Sequence, residues 1–295
     1  MDLPIVVGVD GSESSLRAVD WAADEAALRE VPLHVLYASL WERYEQAVFP
    51  TAPERSERLL TDVLVVAAAK RARERVPGVK VTTEVVPAGP VPVLRRAAGK
   101  ASALVVGNRG RGGAGELLLG SVGLAVAGRA DGPVIVVRGD ADGQGGARPV
   151  VVGVPDEAAD ARAVRFAFRE AARRRVPLVA VRAWHRPAPE ATDIPLLTGE
   201  PTAAYRQRAD RELEAGLRGP SGEHPGVEVH RQTVEGHART ALLDASAGAA
   251  LLVIGARHPH GRFGLHIGRV THGVLHHAAC PVAVVPEPCD RTRPV

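Results

Sequence analysis

The chain has 295 residues, 45% of them hydrophobic and only 3% aromatic. That is enough apolar material for one large or two ordinary globular domains with cores of Val, Leu, Ile and Ala. Its 37 basic and 34 acidic residues leave a formal charge of +3, which argues against nucleic-acid binding, and no apolar run has membrane-spanning length.

In chain order, the first 140 residues alternate short β-branched runs with helical stretches. Strands are predicted at Ile5 to Val9, Leu33 to Ala38, Val79 to Val86, Ala103 to Val106 and Val134 to Val137. Helices are predicted at Ser14 to Glu30, Pro53 to Arg75, Val91 to Ala101 and Ser121 to Ala130, with Ser14 and Ser15 able to cap the first. The strands are apolar nearly throughout, as parallel strands covered on both faces are. The β-α alternation predicts a doubly wound parallel sheet with right-handed crossovers.

The chain is then written a second time. Val6-Val7-Gly8-Val9 recurs as Val151-Val152-Gly153-Val154, and Val31-Pro32-Leu33 as Val176-Pro177-Leu178, at a constant offset of 145 residues. Glu25-Ala26-Ala27 recurs as Glu170-Ala171-Ala172 in the same frame. Farther on the offset becomes 148, matching Gly107 to Gly255 and Gly120 to Gly268. A period this long means duplicated domains, 1–140 and 148–289, joined by the glycine-rich stretch Gly139 to Gly146. The linker and the complete second copy argue against one sheet spanning both. Two cysteines, Cys280 and Cys289, make no disulfide framework, and no basic leader precedes Ile5. Both features predict a cytoplasmic protein.

The chemistry concentrates after the fourth strand. Gly107, Gly110, Gly120 and Ser121 have the spacing G-x2-G-x9-G-S. Glycine lets a backbone approach a ligand closely, and amides freed in such a loop can hold phosphate. Arg109 and Arg111 can add charge. No G-x4-G-K-[ST] is present. The literal G-x-G-x-x-G at Gly110, Gly112 and Gly115 follows the fourth strand rather than the first, so it is no dinucleotide fingerprint.

V-V-G-V-D-G-S at the start, V-V-G-N-R-G-R-G-G-A-G-E-L-L-L-G-S-V in the middle and G-P-V-I-V-V at the end resemble a universal stress protein domain. Because both halves share the pattern, the chain resembles a tandem, actinobacterial-type member of the ATP-binding branch. The resemblance implies strand order 3-2-1-4-5 in each domain. In that order strands one and four are neighbours, and a crevice opens beyond their carboxyl ends. It further implies ATP as ligand, with or without Mg. Gly8, Val9 and Asp10 would meet the ribose side, and Ala38 the adenine. Gly107, Asn108, Arg109, Gly110, Arg111, Gly112 and Gly113 would wrap the triphosphate, and Gly120, Ser121 and Val122 would close on it. The last strands would pair domains edge to edge, within a chain or in a homodimer, covering an open edge.

The second copy departs from this pattern. Pro155 stands at the Asp10 position, His258 at that of Gly110 and Arg269 at that of Ser121, while Gly153, Gly255 and Gly268 are kept. Weak or no ATP binding is expected there; Arg257, Arg262 and Arg269 offer an altered anion site instead. His272 and His276 share a helix face at i, i+4, a spacing that can hold a metal, but H-E-x-x-H is missing and no metal site is assigned. The function implied is a nucleotide-responsive regulator of stress adaptation, not an enzyme. The alternatives are a slow ATPase, with Glu116 in the loop, and a nucleotide-independent scaffold using Trp41, Tyr44 and Phe49.

Overall fold

The structure, a computed structural model, describes residues 3–38, 52–110 (backbone alone at 52–60), 119–138, 147–155, 162–186, 202–257 and 267–287. Its strands are β1 (Ile5–Val9), β2 (Leu33–Ala38), β3 (Val81–Val86), β4 (Ala103–Gly107), β5 (Val134–Val137), β6 (Val150–Gly153), β7 (Leu178–Trp184), β8 (Val229–Glu235), β9 (Leu251–Arg257) and β10 (Val282–Glu287). Its helices are α1 (Glu13–Leu28), α2 (Ala52–Arg75), α3 (Pro90–Ala98), α4 (Ser121–Ala127), α5 (Arg162–Arg174), α6 (Thr202–Glu223), α7 (Ala238–Ser246) and α8 (Arg269–His277).

Local chemistry explains the boundaries that move. Ser12, not Ser14 or Ser15, caps α1: its hydroxyl accepts the Ser15 N–H at 3.2 Å. β3 starts at Val81 because the Val79 amide is held in a turn by the Val76 carbonyl. α4 stops at Ala127, where Gly128 caps it. The first helix of each half closes alike, with Glu30 and Arg175 at φ 56° and 54°.

Each half keeps the order 3-2-1-4-5, with all its strands parallel. The halves do not make separate sheets. β5 and β10 pair antiparallel, Ile135 opposite Ala283, so ten strands run as β3-β2-β1-β4-β5-β10-β9-β6-β7-β8. The linker and the second copy argued against one sheet across both halves; the two doubly wound units keep their expected order and are joined at the last strands, where the resemblance placed an edge-to-edge pairing. β5 is four apolar residues, all buried, and as a free edge it would expose unpaired amides beside an apolar face. The outer edges are β3 and β8, whose middles carry Thr82, Thr83 and Glu84, and Arg231 and Gln232. Charged and polar side chains there discourage further strand addition.

Two apolar layers cover the sheet, each continuous through both halves. One packs α1, α2, α5 and α6 over Ile5, Val7, Ile135, Val152 and Ala283; the other packs α3, α4, α7 and α8 over Val6, Leu104, Val136, Val151 and Val284. Small residues on α1 (Ala18, Ala22, Ala26) let it lie close to the sheet.

Between the halves, α1 and α5 bury four charges. Arg29 bonds Glu25 at 2.6 Å and Glu170 at 2.9 Å, and Arg174 bonds the same two carboxylates. Glu25 and Glu170 are 2% and 0% exposed, so these ions are almost wholly desolvated. The arrangement is two-fold: Arg29 lies over the Phe166 ring and Arg174 over Trp21, the matching position. The recurrence of Glu25 as Glu170 therefore has a structural reason. Burial pushes the Glu170 carboxyl up, but Arg174 and Arg29 outweigh it and hold the group below the usual carboxylate range. Burial, and then the Glu170 charge, push Glu25 up.

Cys280, just before β10 in the chain, is buried, and burial pushes its thiol up to about 12. A thiol held protonated is a poor nucleophile. In native protein at about pH 8, peptide mapping after iodoacetamide should find Cys280 unmodified, and modified once the chain is denatured. Rapid native labelling would contradict this burial.

Candidate functional site

β1 lies between β2 and β4, and the chain leaves β1 and β4 toward opposite faces of the sheet. That divergence opens a crevice at their carboxyl ends. A cavity of about 540 Å³ occupies it, within the usual range for small-ligand sites. Gly8, Val9, Asp10, Ala38, Gly107, Arg109, Gly110, Gly120, Ser121 and Val122 all line it. Asn108 is not among the lining residues. Arg111, Gly112 and Gly113 lie outside the described residues, as do Glu116, Trp41, Tyr44 and Phe49. The sequence reading missed Leu36, Pro90, Leu94 and Leu119, which complete an apolar side. Leu36, Leu94 and Leu119 are ordinary core residues and Pro90 opens α3, so none carries a ligand signal of its own.

Hydrogen bonds lock the cavity's two rims together. Gly11 takes φ 81°, turning the chain so that Asp10 Oδ1 accepts both the Ser12 amide (2.9 Å) and the Ser12 hydroxyl (2.6 Å). The Ser14 hydroxyl donates to Asn108 Oδ1 at 2.6 Å and accepts the Arg109 amide at 3.2 Å. The Asn108 carbonyl accepts the Gly120 amide at 2.8 Å, closing the neck of the glycine loop.

Glycine is needed at the crossing for steric reasons. A Cβ on Gly107 would fall 2.7 Å from the Ser14 backbone, and one on Gly110 would fall 2.8 Å from Asp10 Oδ2. Gly8 has a packing role: a Cβ there would meet Leu94, as one on Gly153 would meet Leu242. The rim is basic. Arg109 Nε is buried with no hydrogen-bond partner among the described residues. Burial, and then the Arg109 charge, lower the pKa of Arg138.

The second half builds the same crossing differently. Gly268 caps α8 with the same extended backbone that Gly120 uses before α4. Gly255, however, faces a carboxylate. Glu287 Oε2 accepts the Arg162 amide at 2.8 Å and Oε1 the Ala163 amide at 2.9 Å, at the start of α5. The same carboxylate lies 3.0 Å from where a Gly255 Cβ would be. An internal anion thus sits at a helix N-terminus, where it is favourable. Its one sequence signal is a charge ending an apolar strand. Arg269 lines a separate cavity of about 980 Å³ with Arg182, Trp184, His237 and Arg239; Gly153, Gly255 and Gly268 do not. The rings of His272 and His276 stand 4.4 Å apart, and His276 Nδ1 is engaged by the Leu119 amide. Among the described residues no group of three or more His, Cys, Asp or Glu could hold a metal.

Fold and crevice define a duplicated, doubly wound α/β protein with a ligand-sized cleft at the carboxyl ends of β1 and β4 in its first half. A model of the universal stress protein family matches residues 3–138 and 146–286, and the chain belongs to that family. A universal stress protein from Mycobacterium tuberculosis is 34% identical over 294 residues, 95% of this chain and 96% of its own. The solved universal stress protein from Archaeoglobus fulgidus shares the fold at 19% identity and a TM-score of 0.69, covering 96% of this chain and 98% of that one. Another structure from that organism, a universal stress protein in complex with dAMP, matches 46% of this chain and 98% of its own at 24% identity and a TM-score of 0.35. No described helix is long and apolar enough to cross a membrane.

Proposed function

We propose that the first half binds ATP and that the protein is a nucleotide-responsive regulator of stress adaptation, not a catalyst. The observation that carries this is the convergence of Asp10, Gly107, Gly110, Gly120 and Ser121 on one cavity. Asp10 suits ribose hydroxyls, Ala38 and the apolar wall suit adenine, and loop amides with Arg109 suit phosphate. The buried, unpaired Arg109 Nε is the kind of donor an anion satisfies. Mg would accompany the phosphates rather than a protein cage. Asp10 is the single carboxylate among the described lining residues, and its Oδ1 is already held by Ser12. With that oxygen committed to the Ser12 amide and hydroxyl, Asp10 is better placed to hold a ligand than to activate water, which favours a binder over an ATPase. The β5–β10 ladder and the buried ion quartet support pairing of the halves within one chain.

At a hundredfold excess over its dissociation constant, ATP should stabilise the protein by about 2.7 kcal/mol. That would appear as a rise in melting temperature, lost in Asp10→Ala. A wild-type melting curve indifferent to millimolar ATP would overturn the reading. Because Glu287 occupies the matching crossing in the second half, native mass spectrometry should find one nucleotide per chain; two would show that the second half is open.

A further inference from the structure

We infer that His276, in the second half, is a positioning residue for the cavity of the first, a role that rests on the nucleotide reading above. The contact is set by the two-fold relation between the halves. At the offset of 148, Leu119 corresponds to Ile267 and Gly128 to His276. Each loop end reaches across to the other half's last helix. In one direction the contact is apolar, with the Ile267 side chain over Gly128, where a Cβ would lie 2.5 Å from Ile267 Cγ1. In the other direction it is polar: the Leu119 amide donates to His276 Nδ1 at 3.4 Å. Both residues are buried, at 7% and 8% exposed.

Leu119 lines the cavity and is followed directly by Gly120 and Ser121, which line it too. His276 therefore holds the closing end of the loop that meets the ligand. The helix bearing it is tied back to the first half by Arg138, whose guanidinium donates to the Leu275 and Ala278 carbonyls. As an acceptor, Nδ1 carries no proton. The half whose own crossing is filled by Glu287 thus completes its neighbour's site.

The test is ATP titration calorimetry on the full chain, with melting curves recorded for each variant. His276→Leu removes the acceptor and frees the loop end, which ATP must then order on binding, so affinity should fall about tenfold. His276→Asn places Oδ1 near the position of Nδ1 and should stay within about threefold of wild type. Equal affinities in all three proteins, or equal losses in both variants, would overturn the role. Should His276→Leu fail to fold, hydrogen exchange on the wild type decides: a slow Leu119 amide supports the bond, and a fast one refutes it. A wild type that binds no ATP would end the nucleotide reading and this role together, whereas a wild type that binds alongside an indifferent His276→Leu ends this role alone.

Discussion

Glu25→Ala is expected to cost about 3–5 kcal/mol of unfolding free energy, read from urea titrations. The substitution leaves Arg29, Arg173 and Arg174 around Glu170 alone, in a site from which water is excluded. Glu170→Ala should cost at least as much, since Glu170 is the carboxylate held below its usual range and is bonded by Arg29, Arg173 and Arg174. Removing the whole quartet is a different experiment. With Glu25, Arg29, Glu170 and Arg174 all changed to Met, only Arg173 loses a partner, and its side chain is 38% exposed and can turn to water, so no buried charge is stranded and desolvation is no longer paid for. Stability should then be close to wild type or higher, because buried ion pairs seldom outperform well-packed apolar groups. A single substitution that costs under about 1 kcal/mol would mean the quartet is wet in solution. If the quadruple variant is stable but its halves no longer associate in one sheet, the quartet selects the pairing rather than strengthening it.

Gly107→Ala should abolish the ATP-induced rise in melting temperature and also destabilise the unliganded protein, by about 1–3 kcal/mol. Its Cβ would lie 2.5 Å from Ser14 Oγ and 2.7 Å from the Ser14 backbone, so the start of α1 must move. Ser14 holds Asn108 and Arg109, and the displacement would open the rim where the loop begins. Gly268→Ala is the control. Nothing lies within 4 Å of its Cβ position, so stability should change by less than about 1 kcal/mol and ATP binding not at all. A Gly107→Ala protein that binds ATP like wild type would show that the crossing of β4 and α1 is not part of the site.

These glycines show how far a sequence can be read. The spacing of Gly107, Gly110 and Gly120 marks a loop where side chains are unwelcome. It does not say whether a ligand or the protein itself forbids them. At Gly107 the obstacle is Ser14, and at Gly8 it is Leu94, both distant in sequence. Apolar runs bounded by turns placed β1 and β5 to the residue, because a strand buried on both faces leaves an unbroken apolar signature; β2 was placed as well, although His34 interrupts its run. Ends set by competing caps, such as Ser12 over Ser14, moved by a residue or more.

The sequence by itself determined the duplication, the doubly wound alternation and the family pattern, since these are written in local periodicity and in repeats along the chain. The family resemblance anticipated that the last strands pair, and tertiary structure alone decided that they do so within this chain and what packs around the seam. The β5–β10 ladder, the quartet around Glu25 and Glu170, the Glu287 carboxylate beside Gly255 and the His276 contact with Leu119 each join residues far apart in the chain. Nothing in the local chemistry of either partner names the other. Each pairing follows from burial: an edge strand, a desolvated charge or a buried amide must find a partner, and only the folded chain determines which one is within reach.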